Sequence, residues 1–235
     1  MIYLASFLFG GISGVVLWCY VSEFITCLQK DIYDAYIELF PENAPFFQPD
    51  ASTIQQKKCG HILVYFFSVG FLFLFLHLIL KNESLLLWAG VVLLMLWTMS
   101  YLDWHYQLIS PTLCLALFAL GVLGAYFYFS PLSLIESLQS SAGFFFVFGL
   151  IYGGAKVYYG KEVFGKGDWW LSLGLGSFIP LSYLPHFLLI ACLLGIVLHW
   201  FIDENPDSYL LHLLCVYLLY FYLLLKFILN LRYFT

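Results

Sequence analysis

The chain has 235 residues, of which 63% are hydrophobic and only 10% charged, with a formal net charge of -5. Soluble domains carry about 25% charged residues, so this composition excludes a soluble globular domain. It predicts an all-α, polytopic transmembrane protein whose main partner is the lipid bilayer. No basic run or stripe is present, which excludes a nucleic-acid-binding surface.

Apolar stretches of the length that crosses a bilayer, about 20 residues, recur along almost the whole chain. The uncharged stretch from Trp169 to Ile202 is too long for one crossing, and Pro180 and Pro185 favour a break into two spans over one. With that break we predict about eight spans, near residues 2–22, 61–80, 84–102, 109–130, 140–155, 169–183, 186–202 and 208–229.

The segment from Glu23 to Gly60 is the one long polar stretch, with scattered acids and three prolines. We predict a water-exposed loop here, with an amphipathic helix over residues 25–40 and an irregular Pro-rich part after it. The chain is accordingly divided into residues 1–60, the first span with its loop, and residues 61–235, a membrane-embedded domain.

Lysine and arginine residues are divided unevenly between the two sides of the predicted spans. Cytoplasmic loops are enriched in these residues, so the side that holds more of them is inside. This rule predicts an N-terminus outside the cytoplasm. Lys30, Lys57, Lys58, Lys156, Lys161 and Lys166 then face the cytoplasm, against Lys81, Lys226 and Arg232 on the other side.

Two acids lie at span boundaries among apolar and aromatic neighbours, where burial of a carboxylate is costly. Asp103 ends the third predicted span, and Asp168 opens the sixth. The fourth and fifth spans separate them, and an even number of crossings returns the chain to the same side. Both carboxylates are therefore expected at one face of the bilayer.

A pair of carboxyl groups brought to about 3 Å shares one proton, so one group serves as acid and the other as base. Such a pair activates a water against a peptide carbonyl without a covalent intermediate. Gly165 and Gly167 leave space for another backbone just before Asp168. The same residues also fit simpler roles, because a boundary Asp often caps a helix or anchors it in the interface.

The stretch Gly160-Lys161-Glu162-Val163-Phe164-Gly165-Lys166-Gly167-Asp168 resembles the second signature of the type IV prepilin peptidases, G-[RK]-E-x-[ML]-G-x-G-D. Leu102-Asp103, followed by Gln107-Leu108-Ile109, resembles their first signature. The resemblance covers roughly residues 85–200. It implies a membrane aspartic endopeptidase with eight spans and an N-terminus in the periplasm. In it, Asp103 and Asp168 match the catalytic pair, and Glu162, Gly165 and Gly167 shape the loop before Asp168.

By this resemblance the protein lies in the bacterial inner membrane and removes leader peptides from type IV prepilins or type II secretion pseudopilins. Many members also methylate the new N-terminus with S-adenosylmethionine and bind zinc through two C-x-x-C pairs in the first loop. Here that loop holds only Cys27 and Cys59. A closed zinc site needs four such ligands, so we expect no metal site, and S-adenosylmethionine only if methyl transfer is retained.

Two further departures affect the signatures. Ser110 stands where the first signature usually has proline, with Pro111 one place late, and Trp170 replaces a common lysine. Two alternatives stay open beside the peptidase. One is a transporter or channel that uses Asp103 and Asp168 in an ion path. The other is an inactive relative of the family.

Overall fold

The computed structural model describes residues 1–41, 54–57, 59–80, 82–130, 132–160 and 165–201. This part of the chain is all-α and divides into two compact units, with the second beginning at Leu87. It contains seven α-helices and a short 3-10 turn, Leu181–Tyr183. The helices are α1 Ile2–Leu39, α2 Ile62–Ile79, α3 Glu83–Tyr106, α4 Pro111–Tyr126, α5 Leu134–Tyr159, α6 Lys166–Gly176 and α7 Leu184–Phe201.

Four of the helices are long and apolar enough to cross a membrane, namely α1, α2, α3 and α5. This confirms the all-α, multi-pass architecture. The predicted span at residues 208–229 lies outside the described residues.

The predicted end of the first helix after residue 22 is wrong. Helix α1 runs without interruption from Ile2 to Leu39, so the helix expected over residues 25–40 is its continuation. Neither glycine nor proline occurs between Gly14 and Phe40, and Asp31 and Asp34 are exposed, so nothing breaks the helix before Pro41. Residues 42–53 of the predicted loop lie outside the described part.

In the first unit, α1 and α2 approach closely along a seam of small residues. A Cβ atom added to Gly10 would lie 2.7 Å from Cβ of Phe73, and one added to Gly14 would lie 2.9 Å from the backbone carbonyl carbon of Tyr65. A methyl group or any larger side chain therefore does not fit at either position unless a neighbouring residue shifts. Such small residues let helix backbones come into contact in apolar surroundings.

A short segment, residues 54–57 with 59 and 60, docks along the middle of α1. The Gln56 amide contacts the helix backbone with both ends: its Oε1 accepts from the Ile25 N–H (3.1 Å), and its Nε2 donates to the Val21 carbonyl (3.1 Å). The Trp18 indole donates to the Gly60 carbonyl (2.9 Å). The segment is thus held by hydrogen bonds to both side chains and backbone of α1.

In the second unit, α6 packs closely against both α4 and α5. A Cβ atom on Gly174 would lie 3.0 Å from the carbonyl oxygen of Cys114 on α4. One on Gly176 would lie 2.8 Å from Cα of Ser141 on α5. Glycine thus lets the α6 backbone touch both neighbours.

The fifth predicted span starts too late, because α5 begins at Leu134 and not near residue 140. A capping box fixes this start: the Glu136 N–H donates to Ser133 Oγ (3.3 Å), and the Ser133 N–H donates to Glu136 Oε2 (2.9 Å). The two reciprocal bonds satisfy N–H groups that a helix start leaves unpaired.

The predicted break near Pro180 is confirmed, since α6 ends at Gly176 and α7 begins at Leu184. However, α6 has 11 residues, which cover about 16 Å at roughly 1.5 Å per residue. That is about half the thickness of the hydrocarbon layer. The predicted full crossing over residues 169–183 is therefore wrong for this helix.

Candidate active site

Asp103 lies near the carboxyl end of α3, one turn before Tyr106. Its side chain is buried, with 5% of its surface exposed. Among the described residues, no group forms a hydrogen bond with its Oδ2 atom. Burial of a carboxyl oxygen without a partner is costly, and the cost is far smaller when the carboxyl is neutral.

The chain turns sharply after Asp103. Gln107 has a positive φ of 53°, and its N–H donates to the Asp103 carbonyl (2.8 Å), which ends α3. Ser110 then occupies the N-cap of α4, and Pro111 is the first residue of that helix. Proline is favoured at this position because its missing N–H would have no helical partner. Pro111, which stands one place later than the proline of the first signature, therefore fits the start of α4.

Asp168 is the third residue of α6, and Gly165 is the N-cap of that helix. The Asp168 side chain turns back towards the helix start, since a Cβ atom on Gly165 would lie 3.0 Å from its Oδ2. It is half-buried, and burial raises the pKa of its carboxyl to about 6. The N-terminus of α6 favours a negative charge here, which acts in the opposite direction to burial.

The start of α6 and the loop after α3 are in direct contact. A Cβ atom on Gly167 would lie 2.7 Å from Cβ of Ile109. Asp168 lies within electrostatic range of the Asp103 carboxyl and of the Cys114 thiol on α4. The segments that carry the two aspartates are therefore neighbours in the second unit.

The other predicted site residues have different outcomes. Gly167 is needed for close approach, but to Ile109 of the same chain. Gly165 is exposed at the start of α6, and its contact with a substrate stays a prediction. Glu162 lies outside the described residues. Within the described residues, no three His, Cys, Asp or Glu side chains are grouped as metal ligands.

Serine residues of α5 hold α6 and the turn after it. Ser141 donates to the Leu173 carbonyl (2.6 Å), and Ser137 donates to the Ser177 carbonyl (2.9 Å). The carbonyls at a helix end have no N–H partner within the helix, so these hydroxyl groups supply the missing donors. Ser140 donates to the Ile179 carbonyl in the same way.

Sequence reasoning missed these contacts with α6 and the role of Ile109. Three serines at helical spacing in an apolar helix, Ser137, Ser140 and Ser141, are a signal that points to a neighbouring helix. Ile109 carries no such signal, because any apolar residue would look the same in a membrane sequence.

A family model described as "Type IV leader peptidase family" matches residues 90–200, which include both aspartates. A protein of Haemophilus influenzae described as "Prepilin leader peptidase/N-methyltransferase" is 59% identical over 196 residues, covering 83% of this chain and 85% of the relative. No solved structure matches the chain. The contact between the two Asp-bearing segments lies within the matched region. The chain therefore belongs to the type IV leader peptidase family.

Proposed function

We propose that this chain removes the leader peptide from type IV prepilins or type II secretion pseudopilins, with Asp103 and Asp168 as its catalytic pair. The observation that supports the proposal is the contact of Gly167 with Ile109, which makes the two Asp-bearing segments neighbours and leaves Asp168 within electrostatic range of Asp103. Membership of the leader peptidase family supplies the reaction class.

The two carboxyl groups have different surroundings, which suits an acid and a base. Asp168, in the first turn of α6, takes the ionised form and acts as base, because the N-terminus of the helix favours its negative charge. Asp103 keeps the shared proton, because its buried Oδ2 is without a described partner and is least costly when neutral.

Peptide hydrolysis then needs no covalent intermediate. Asp168 takes a proton from a water held between the carboxyl groups, and the oxygen of that water attacks the scissile carbonyl carbon. Asp103 gives its proton to the carbonyl oxygen as the carbon becomes tetrahedral. As the intermediate collapses, the leaving nitrogen receives the proton held by Asp168 and the C–N bond breaks. The proton on the former carbonyl oxygen then returns to Asp103.

The layout in the membrane forms part of the proposal. Eight spans and a periplasmic N-terminus would place both aspartates at the cytoplasmic face of the inner membrane. Four candidate spans and the lysine distribution support this layout. The position of both acids near helix ends, and not in mid-helix, disfavours the ion path of a transporter.

Methyl transfer to the new N-terminus is the second candidate activity, because the name of the Haemophilus relative includes N-methyltransferase. That reaction requires a methyl donor such as S-adenosylmethionine. The stretch from Glu23 to Gly60 holds Cys27, on α1, and Cys59, fewer than the four ligands of a closed zinc site.

The test is cleavage of a prepilin by the purified full chain in detergent, with the mass of the new N-terminus measured in the same sample. Asp103→Asn and Asp168→Asn are each expected to lower the cleavage rate by at least about 1,000-fold, since each removes one half of an acid–base pair. Glu83→Gln, which changes an exposed acid at the far end of α3, is the control and should cleave normally.

Wild-type cleavage by either Asp variant would exclude the catalytic pair. An intact but inactive wild-type chain would instead identify an inactive relative. Addition of S-adenosylmethionine to the same reaction tests methyl transfer, because the methylated and unmethylated N-termini differ in mass.

A further inference from the structure

Trp169, the residue that follows Asp168, is fixed to α5 by its whole indole ring. The ring stacks on Phe145 (centroid distance 4.7 Å, interplanar angle 20°) and on Tyr152 (5.7 Å, 13°). Its Nε1–H donates to the Phe145 carbonyl (2.9 Å). Stacking fixes the plane of the ring and the hydrogen bond fixes its direction, so the indole has one favoured position.

A glycine on α5 creates the space for this ring. A Cβ atom on Gly149 would lie 3.0 Å from Nε1 and 3.2 Å from Cε2 of Trp169. By contrast, a Cβ atom on Gly153, one turn further along α5, would meet nothing within 4 Å. The close fit is therefore specific to the position of the indole.

The far end of α6 is attached to the same helix, through Ser141 and the Leu173 carbonyl. With both ends held by α5, α6 cannot rotate about its own axis unless one attachment breaks. Successive residues of a helix differ by about 100° in direction. The direction of Trp169 therefore determines the direction of Asp168 as well.

We propose that Trp169 is a positioning residue, which uses α5 to hold the Asp168 carboxyl in the orientation that faces Asp103. This inference rests on the proposed role of Asp168 in catalysis. Trp169 itself contacts no reacting group and acts only through its neighbour. A misplacement of about 1 Å in a catalytic group costs up to about 100-fold in rate, so a small movement of α6 has a large effect.

Trp169→Phe tests this inference, because it keeps an aromatic ring and removes the N–H donor. We expect kcat for prepilin cleavage to fall by roughly 10- to 100-fold with KM unchanged. The pH profile of kcat should also move, because a displaced Asp168 changes its burial and its distance from Asp103. Gly149→Ala should reproduce both effects, since its added methyl group pushes against the indole.

Two controls match these variants. Trp170→Phe changes the next residue of the same turn, whose ring has a tilted contact with Phe145 (5.7 Å, 55°). Gly153→Ala adds the same methyl group to α5 where space is open. Both should keep the wild-type kcat and pH profile.

The outcomes separate the two proposals. If Asp168→Asn abolishes cleavage while Trp169→Phe and Gly149→Ala keep the wild-type kcat and pH profile, the positioning role is wrong and the catalytic pair stands. A lower melting temperature in these variants, without a change in kcat per folded molecule, also overturns positioning. If Asp168→Asn cleaves normally, the proposed catalytic pair fails, and the positioning role fails with it.

Discussion

Within each of the two units, the helices are held together by a different kind of contact. In the first, α1 and α2 meet mainly through glycines and aromatic rings, as where Gly10 faces Phe73, with one part-buried hydrogen bond between Ser6 Oγ and His77 Nδ1 (3.0 Å). In the second, hydroxyl and indole groups on α5 and α6 bond to backbone carbonyls of the facing helix. Among the described residues, every buried polar or charged side chain lies in the second unit, from Thr98 onward.

This difference indicates where specificity is needed. An apolar seam leaves few groups that must find partners, and many side-chain combinations would pack equally well. Buried polar groups tolerate only arrangements that satisfy them, so they define one orientation of the helices they join. The helix that carries Asp168 is fixed in this way, which agrees with a site that requires defined geometry.

Among the glycine substitutions that test this comparison, Gly167→Ala has the largest expected effect. The added methyl group would lie 2.7 Å from Cβ of Ile109, which forces the start of α6 away from the loop after α3. Alanine is a better helix former than glycine, so the helix itself should not suffer. We expect prepilin cleavage to fall by about 100-fold or more.

Its control is Gly154→Ala on α5, where a Cβ atom meets nothing within 4 Å. Ile109→Gly combined with Gly167→Ala removes the clashing carbon and should restore part of the cleavage rate. Equal rates for Gly167→Ala and Gly154→Ala would show that this contact does not set the separation of the carboxyl groups.

An equivalent change in the first unit should affect stability instead. In Gly14→Ala, the new methyl group would lie 2.9 Å from the Tyr65 carbonyl carbon and 3.0 Å from Cβ of Val69. We expect a loss of about 1–3 kcal/mol in the free energy of unfolding from this overpacking. Thermal melting in detergent measures it, and kcat per folded molecule should stay at the wild-type value.

Gly60→Ala is the matched control, because its Cβ atom would lie at an ordinary 3.8 Å from the Tyr65 ring. A fall in kcat per folded molecule for Gly14→Ala would contradict the division into a structural seam and a catalytic unit.

The third comparison concerns the pH dependence of stability. Burial raises the pKa of Asp168 to about 6, against about 3.9 for an aspartate in an unfolded chain. Between these values the folded protein retains a proton that the unfolded chain has lost. The contribution of Asp168 to stability therefore falls as the pH rises from about 4 to about 6 and is constant above that range.

Asp168→Asn should remove this component, because asparagine does not ionise. The variant should match the wild type in melting temperature near pH 4 and exceed it above about pH 6. Glu83→Gln controls for loss of an exposed carboxyl group. A constant difference between Asp168→Asn and the wild type across this range would show that Asp168 is not destabilised by burial.

Hydropathy alone gave an even number of crossings between Asp103 and Asp168, which predicts both at one face of the bilayer, and the contact of Gly167 with Ile109 agrees with that prediction. Pro180 likewise marked the end of one helix and the beginning of another. Helix ends governed by exposed residues were harder to predict. Hydropathy falls at Glu23, but the backbone of α1 continues because charged residues on an exposed face do not oppose a helix.

Contacts between distant residues could not be predicted from one sequence. The fit of Trp169 into the space left by Gly149 depends on which faces of α5 and α6 meet. Both helices carry apolar residues around their whole circumference, so the periodicity of hydrophobic residues does not identify the contacting face. The short length of α6 was not predicted either, because Ser177 and Phe178 continue the uncharged stretch beyond the end of the helix.

The Gln56 side chain accepts a hydrogen bond from one backbone amide of α1. The proton of that amide therefore reports whether the segment around Gln56 is attached to the helix. The Ile25 N–H donates to a side chain that lies 31 positions away in the sequence. If the segment detaches, this proton must return to a main-chain acceptor or meet solvent. Hydrogen–deuterium exchange at Ile25 would then report whether the segment is bound or released.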